Sequence, residues 1–117
     1  MFEKESGLLQ GTVELLVLKT LSWGPMHGYG IASWIESATD DVLRVEEGSL
    51  YPALYRMTRK KWIKAQWGVT ENNRRAKYYH LTAEGRRQFR EQTSGWRRFA
   101  DAVDQAINTK AAPSWAK

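Results

Sequence analysis

The stretch EEGSLYPALYRMTRKKWIKAQWGVTENNRRAKYYHLT, residues Glu46–Thr82, carries two periodicities in succession. In its first part Leu50, Leu54 and Met57 recur at i, i+4 and i+7, a helical stripe that leaves Tyr51, Tyr55, Arg56 and Arg59 elsewhere on the wheel. Pro52 fits such a helix if it stands in the first turn, where no helical hydrogen bond is lost. In the second part Ile63, Ala65 and Trp67 alternate with Lys64 and Gln66, and Lys77, Tyr79 and Leu81 alternate with Tyr78 and His80, which predicts two strands. Between them Glu71, Asn72, Asn73, Arg74 and Arg75 supply turn-forming asparagines and two cations, so the pair reads as a β-hairpin with a charged tip.

Upstream, Leu9, Val13, Leu16, Val17 and Leu21 keep helical spacing between Leu8 and Trp23, and Leu15 and Leu18 widen the stripe so that the helix is covered on two sides. Gly24 and Pro25 end it. A second helix begins near His27, carries Ile31, Trp34, Ile35 and Ala38, and stops at Thr39, Asp40 and Asp41. Downstream, Thr82 can cap a long last helix with Phe89, Trp96, Phe99, Ala100, Val103 and Ile107 at helical spacing, and the tail around Pro113 is expected to fray. Three helices, a basic hairpin and a helix make a chain that is mainly α with a small β-hairpin. The order predicts a winged helix-turn-helix with a long C-terminal dimerisation helix. The expected division is a head over residues 1–82, the dimerisation helix over 83–110 and a tail over 111–117.

Charge agrees with that order. Residues 1–54 hold three lysines and arginines against eight carboxylates, residues 55–90 eleven against two, and the whole chain of 117 residues carries +5. A basic block beside an acidic one is the footprint expected of a phosphate-rich partner. With no cysteine there is no disulfide framework and no thiolate metal site, and a reducing, cytoplasmic setting is expected. Glu3, Lys4 and Glu5 before any apolar run do not resemble a signal peptide, and Glu14, Lys19 and Thr20 break the longest apolar stretch well short of a membrane span.

In the third helix Ser49, Tyr51, Pro52, Tyr55, Arg56 and Arg59 are the candidates for meeting double-stranded DNA, because the apolar stripe must face the core. Ser49 could donate to a phosphate, a tyrosine could stack or hydrogen-bond, and an arginine could grip a phosphate or a guanine edge. In the hairpin Asn72, Asn73, Arg74, Arg75 and Lys77 lie where a ribbon tip would track the backbone or enter a minor groove. The alternative for each is an ordinary solvated face. The glycines of GPMHGYG have no preceding strand and no following Lys-Ser/Thr, so a helix-helix turn accounts for them better than a phosphate loop. His27 and His80 have no partners at ligand spacing, so no metal or other cofactor is expected, and nothing singles out a catalytic set.

A helix carrying Phe89, Trp96, Phe99, Val103 and Ile107 cannot bury all of them against a small head, which makes a second copy the natural partner, with Leu9 and Val13 of the first helix contributing. Trp96 could line a cavity between subunits and stack on a flat aromatic effector, or be plain interface core. A non-specific or architectural nucleic-acid binder and a protein-interaction adaptor are the rival functions.

The sequence closely resembles the PadR family of bacterial transcriptional regulators. LLQGTVELLVLKTLSWGPMHGYGI (Leu8–Ile31), VEEGSLYPALYRMTRKKWIKAQWG (Val45–Gly68) and NNRRAKYYHLTAEG (Asn72–Gly85) resemble its first helix and turn, its recognition helix and first strand, and its wing with the start of the last helix. The resemblance implies a homodimeric repressor on a palindromic operator, with Ser49, Tyr51 and Pro52 at the DNA-facing helix start and the wing arginines near the backbone. The single C-terminal helix is similar to the short form of the family, in some members of which a tryptophan in that helix stacks on hydrophobic drugs; Trp96 occupies a similar place. Met57 and Thr58 replace the usual Leu-Glu, and Lys61 fills a position that is commonly glycine.

Overall fold

The computed structural model describes residues 10–116, so Leu9 and the expected helix start at Leu8 lie outside the described residues. Four helices, α1 (Gln10–Leu21), α2 (Gly28–Ala38), α3 (Glu47–Arg59) and α4 (Ala83–Ile107), are joined by strands β1 (Met26–His27), β2 (Ile63–Val69) and β3 (Arg75–Leu81). The core is built from the stripes the periodicity marks: Val17 and Leu18 of α1, Ile31 and Ile35 of α2, and Leu50, Ala53, Leu54 and Met57 of α3, closed by Ile63 and Tyr79 of the hairpin. Val13, expected at a subunit interface, instead sits in this core at 2% exposure, because α1 turns it toward its own head.

Local chemistry fixes the helix ends. His27 caps α2 through Nδ1, which accepts from the Gly30 backbone N–H at 3.0 Å. Thr82 caps α4 by accepting from Gly85 N–H at 3.0 Å, while its own hydroxyl reaches the carbonyls of Lys61 and Trp62 at 2.7 and 2.9 Å. The C-terminus of α3 closes with paired bonds from Trp62 N–H to Met57 O and from Lys61 N–H to Thr58 O, both 3.0 Å. That closure needs a left-handed residue, and Lys61 supplies it at φ 65° where glycine would be unstrained.

Two further expectations are corrected. The segment before α2 is more than a helix-helix turn: Met26 and His27 pair antiparallel with Tyr79 and Tyr78, giving a three-stranded sheet of order β1-β3-β2. Two residues are too few for alternation to reveal a strand. Pro52 is not in the first turn; α3 begins at Glu47, so Pro52 is its sixth residue and the helix lacks one internal donor.

Helix α4 packs on α1 and β3 through its first turns and then extends away from the head, giving extents of 64 × 28 × 21 Å. Phe89 is half-buried against the core, whereas Trp96, Phe99, Val103 and Ile107 remain exposed.

Candidate nucleic-acid interface

The faces of α3 are assigned by what its neighbours demand. Burial of Leu50, Ala53, Leu54 and Met57 sends Pro52, Tyr55 and Arg59 outward, all exposed. Arg59 lies over the Tyr55 ring at 5.8 Å. Tyr51 turns to the side, toward α2: a methyl group at Gly28 would stand 2.5 Å from the Tyr51 hydroxyl oxygen, so only glycine admits the ring there. Ser49 is half-buried. Arg56 turns the other way, its Nε donating to Glu14 of α1 at 3.2 Å, with Lys60 3.9 Å from the same carboxylate. Glu14 is buried, so this pair ties α3 to α1 rather than leaving Arg56 free for an outside partner.

The wing turn is held by Thr70 and Arg74, which exchange Thr70 N–H to Arg74 O at 2.8 Å and Arg74 N–H to Thr70 Oγ1 at 3.2 Å. Asn73 takes the left-handed conformation at φ 61°, a conformation asparagine tolerates better than most residues. Register places Trp67 opposite Lys77 and Val69 opposite Arg75, so the three long side chains Trp67, Arg75 and Lys77 share one face. The Arg75 guanidinium lies 4.6 Å and the Lys77 ammonium 5.9 Å from the Trp67 ring. Among the described residues Arg59, Arg74, Arg75 and Lys77 form no ion pair.

Between the wing and α2 runs an open groove of about 1290 Å³, with Arg74, Arg75 and Lys77 on one wall and Tyr29, Ser33 and Tyr51 on the other. Tyr79 also lines it, and burial, with Tyr51 nearby, raises its phenol above the ordinary range. Thus Tyr51 and the wing cations share the groove, Pro52, Tyr55 and Arg59 form a separate outward strip, and Arg56 joins neither. Sequence reasoning passed over Tyr29, Ser33 and Trp67. The position of Trp67 opposite Lys77 was implicit in the strand alternation, but nothing in the spacing signalled that α2 would supply a wall. His27 serves as a helix cap, and among the described residues no group of three or more His, Cys, Asp or Glu could hold a metal. No helix among them is long and apolar enough to cross a membrane.

This arrangement can be compared with known proteins. Residues 17–91 match the model of the transcriptional regulator PadR-like family. A transcriptional regulator from Clostridium thermocellum is 28% identical, with a TM-score of 0.76 over 86% of this chain and 97% of its own. A PadR-like transcriptional regulator from Bacillus cereus is also 28% identical, with a TM-score of 0.75 over 90% of this chain and 100% of its own. A PadR family regulator from Eggerthella lenta reaches 30% identity and a TM-score of 0.70 over 86% of both chains. An uncharacterised protein of Lysinibacillus sphaericus is 24% identical over 99 residues, 85% of this chain and 91% of its own. The proteins of this group are regulators of transcription and not enzymes. With the family match spanning most of the winged head and the start of α4, the chain belongs to the PadR-like family of transcriptional regulators.

Proposed function

We propose that the chain is a homodimeric repressor that binds a palindromic operator and is released by a planar aromatic ligand seated between the subunits. In this reading residues 1–82 form the DNA-binding head, 83–110 the dimerisation helix and 111–117 a tail. The observation that carries it is the set of cations with no ion-pair partner among the described residues, Arg74, Arg75 and Lys77 on the wing and Arg59 on α3. Ion pairing draws Arg56 and Lys60 inward instead. Cations left open along one surface favour a polyanion whose phosphates they would neutralise.

The exposed stripe of Trp96, Phe99, Val103 and Ile107 supports dimerisation, because an apolar row on a projecting helix is covered at low cost by its own copy. Two linked heads then meet half-sites about one helical turn apart. Trp96 and Phe99 lie with ring centroids 5.9 Å apart, a surface on which a flat aromatic could stack. Such a ligand releases DNA only by preferring a dimer whose heads are wrongly spaced. Quenching of tryptophan fluorescence by planar aromatics, abolished in Trp96→Ala, supports that site; no quenching by any of them removes it.

Selection of bound duplexes from a random pool tests the DNA reading. The expected result is one enriched palindrome, with affinity for it falling at least tenfold in the double variant Arg74→Ala/Arg75→Ala. Equal affinity for any duplex or single strand would point to an architectural binder, and no binding even at low salt to an adaptor.

A further inference from the structure

The turn SWGP, Ser22–Pro25, ends α1 beside the close of β3 and the first turns of α4. Among these three lies a cleft of about 580 Å³, within the size range of small-molecule sites. Trp23 and Pro25 of the turn and Phe89 of α4 give it apolar walls, His80 of β3 and Arg86 and Arg90 of α4 give it donors, and none of its lining residues is acidic. It shares no residue with the groove beside the wing, and neither Trp96 nor Phe99 lines it. At about 100° per residue Arg86 and Arg90 also stand roughly a quarter to a third of a turn from the line of Trp96, Val103 and Ile107. The two arginines have no evident structural duty. Cations often serve the free carbonyls at a helix C-terminus, but those of Leu18, Lys19, Thr20 and Leu21 already accept from the N–H groups of Ser22, Trp23 and Gly24 at 3.0 to 3.2 Å. The nearby carboxylates of α4, Glu84 and Glu91, both go to Arg87. Among the described residues Arg90 has no hydrogen-bond or ion-pair partner, and Arg86 has only a long bond of 3.5 Å to the Thr82 carbonyl. Trp23 is 70% exposed, a large ring left open beside these donors.

Donors without acceptors beside aromatic walls select a ligand that is anionic at one end and planar at the other. Arg86 and Arg90, one helical turn apart, have side chains starting about 5–6 Å from each other, close enough to share one anion. Arginine forks suit carboxylate and phosphate alike, but three separate donor groups match the three acceptor oxygens and near-double charge of a phosphate monoester better than the two oxygens of a carboxylate. We propose that this cleft is a ligand site separate from the DNA-binding groove and from Trp96, and that it takes a nucleoside monophosphate. Arg86, Arg90 and His80 hold the phosphate, and the base lies against Trp23 and Phe89. Aromatic side chains stack on any base, so the site selects for the class of ligand more than for one base.

Titration calorimetry of the full-length protein with AMP, GMP, CMP and UMP in turn tests the site, with the four nucleosides, ribose 5-phosphate and inorganic phosphate as controls. At least one nucleotide is expected to bind about tenfold or more tightly than its nucleoside, from charged hydrogen bonds to the phosphate. It should also bind at least about fivefold more tightly than ribose 5-phosphate, from stacking of the base. Arg86→Ala/Arg90→Ala changes two exposed helical residues to the best helix former, so the variant folds, and it should lose about tenfold or more in affinity. Trp23→Ala, also at an exposed position, should lose about fivefold. The wing variant Arg74→Ala/Arg75→Ala should bind as the wild type does, because its cations line the other groove. No binding of any of the four nucleotides, or inorganic phosphate or ribose 5-phosphate bound as tightly as all of them, overturns the proposal. So does full affinity in Arg86→Ala/Arg90→Ala or in Trp23→Ala, or an equal loss in the wing variant.

Discussion

Glu14 shows how much one side chain can decide. In the sequence it interrupts an apolar run; in the fold it is 5% exposed and faces Arg56 and Lys60. A buried carboxylate is tolerable only when paired, so Glu14 dictates where two of the cations of α3 point. Glu14→Gln should therefore cost about 1–2 kcal/mol, less than for a fully buried pair because Arg56 and Lys60 keep access to water. Chemical denaturation measures that loss. The same variant frees Arg56, so non-specific duplex affinity at low salt should rise. An unchanged stability would mean that the pair contributes nothing.

At the scale of elements, the helix and strand stripes were legible because each buries one face at a fixed period: Leu50, Leu54 and Met57 are buried as their spacing requires, and Thr82 does cap α4. Less legible was whatever depends on a partner distant in sequence. Strand β1 exists because Tyr78 and Tyr79 offer it an edge, Glu14 is buried because α3 brings Arg56, and the α2 wall of the groove appears only once Gly28 admits Tyr51. The turn that holds Pro52 is not legible either, because Glu46 caps α3 with no side-chain bond and leaves no marked cap residue in the sequence. Lys61 illustrates the cost of a local misfit. Left-handed backbone strains a lysine, while glycine adopts it freely but gives up more chain entropy on folding. Lys61→Gly is thus expected to stabilise the protein by about 0.5–1 kcal/mol, seen as a raised denaturation midpoint with unchanged slope. A destabilised variant would show that the lysine side chain outweighs the strain. The first turn of α4 is braced differently: hydrogen bonds from Arg87 and then Gln88 hold Glu84 down at about 2 from its ordinary 4.5. A lowered carboxylate stabilises above its unfolded pKa and stops doing so as pH falls through the folded one, so this brace should weaken only between about 4.5 and about 2.

The molecule as a whole is a head of ordinary core plus a helix that overshoots it. Four large apolar side chains exposed on one projecting helix, with Val103 at 40% and Ile107 at 73%, are the feature the proposed dimer explains. If the fold is completed by a second copy, the thermal midpoint should rise by a few degrees for each tenfold increase in protein concentration. Trp96→Glu with Val103→Glu should abolish that dependence and leave a folded monomer. A midpoint independent of concentration in the wild type would separate the two heads and remove the reason for a palindrome. The most direct test of the account is the titration of the enriched duplex and of a shuffled duplex of equal length at two salt concentrations. The account predicts two chains per duplex, a preference of about a thousandfold or more for the enriched sequence, and affinity that falls steeply as salt rises. Equal affinity for both duplexes would contradict it.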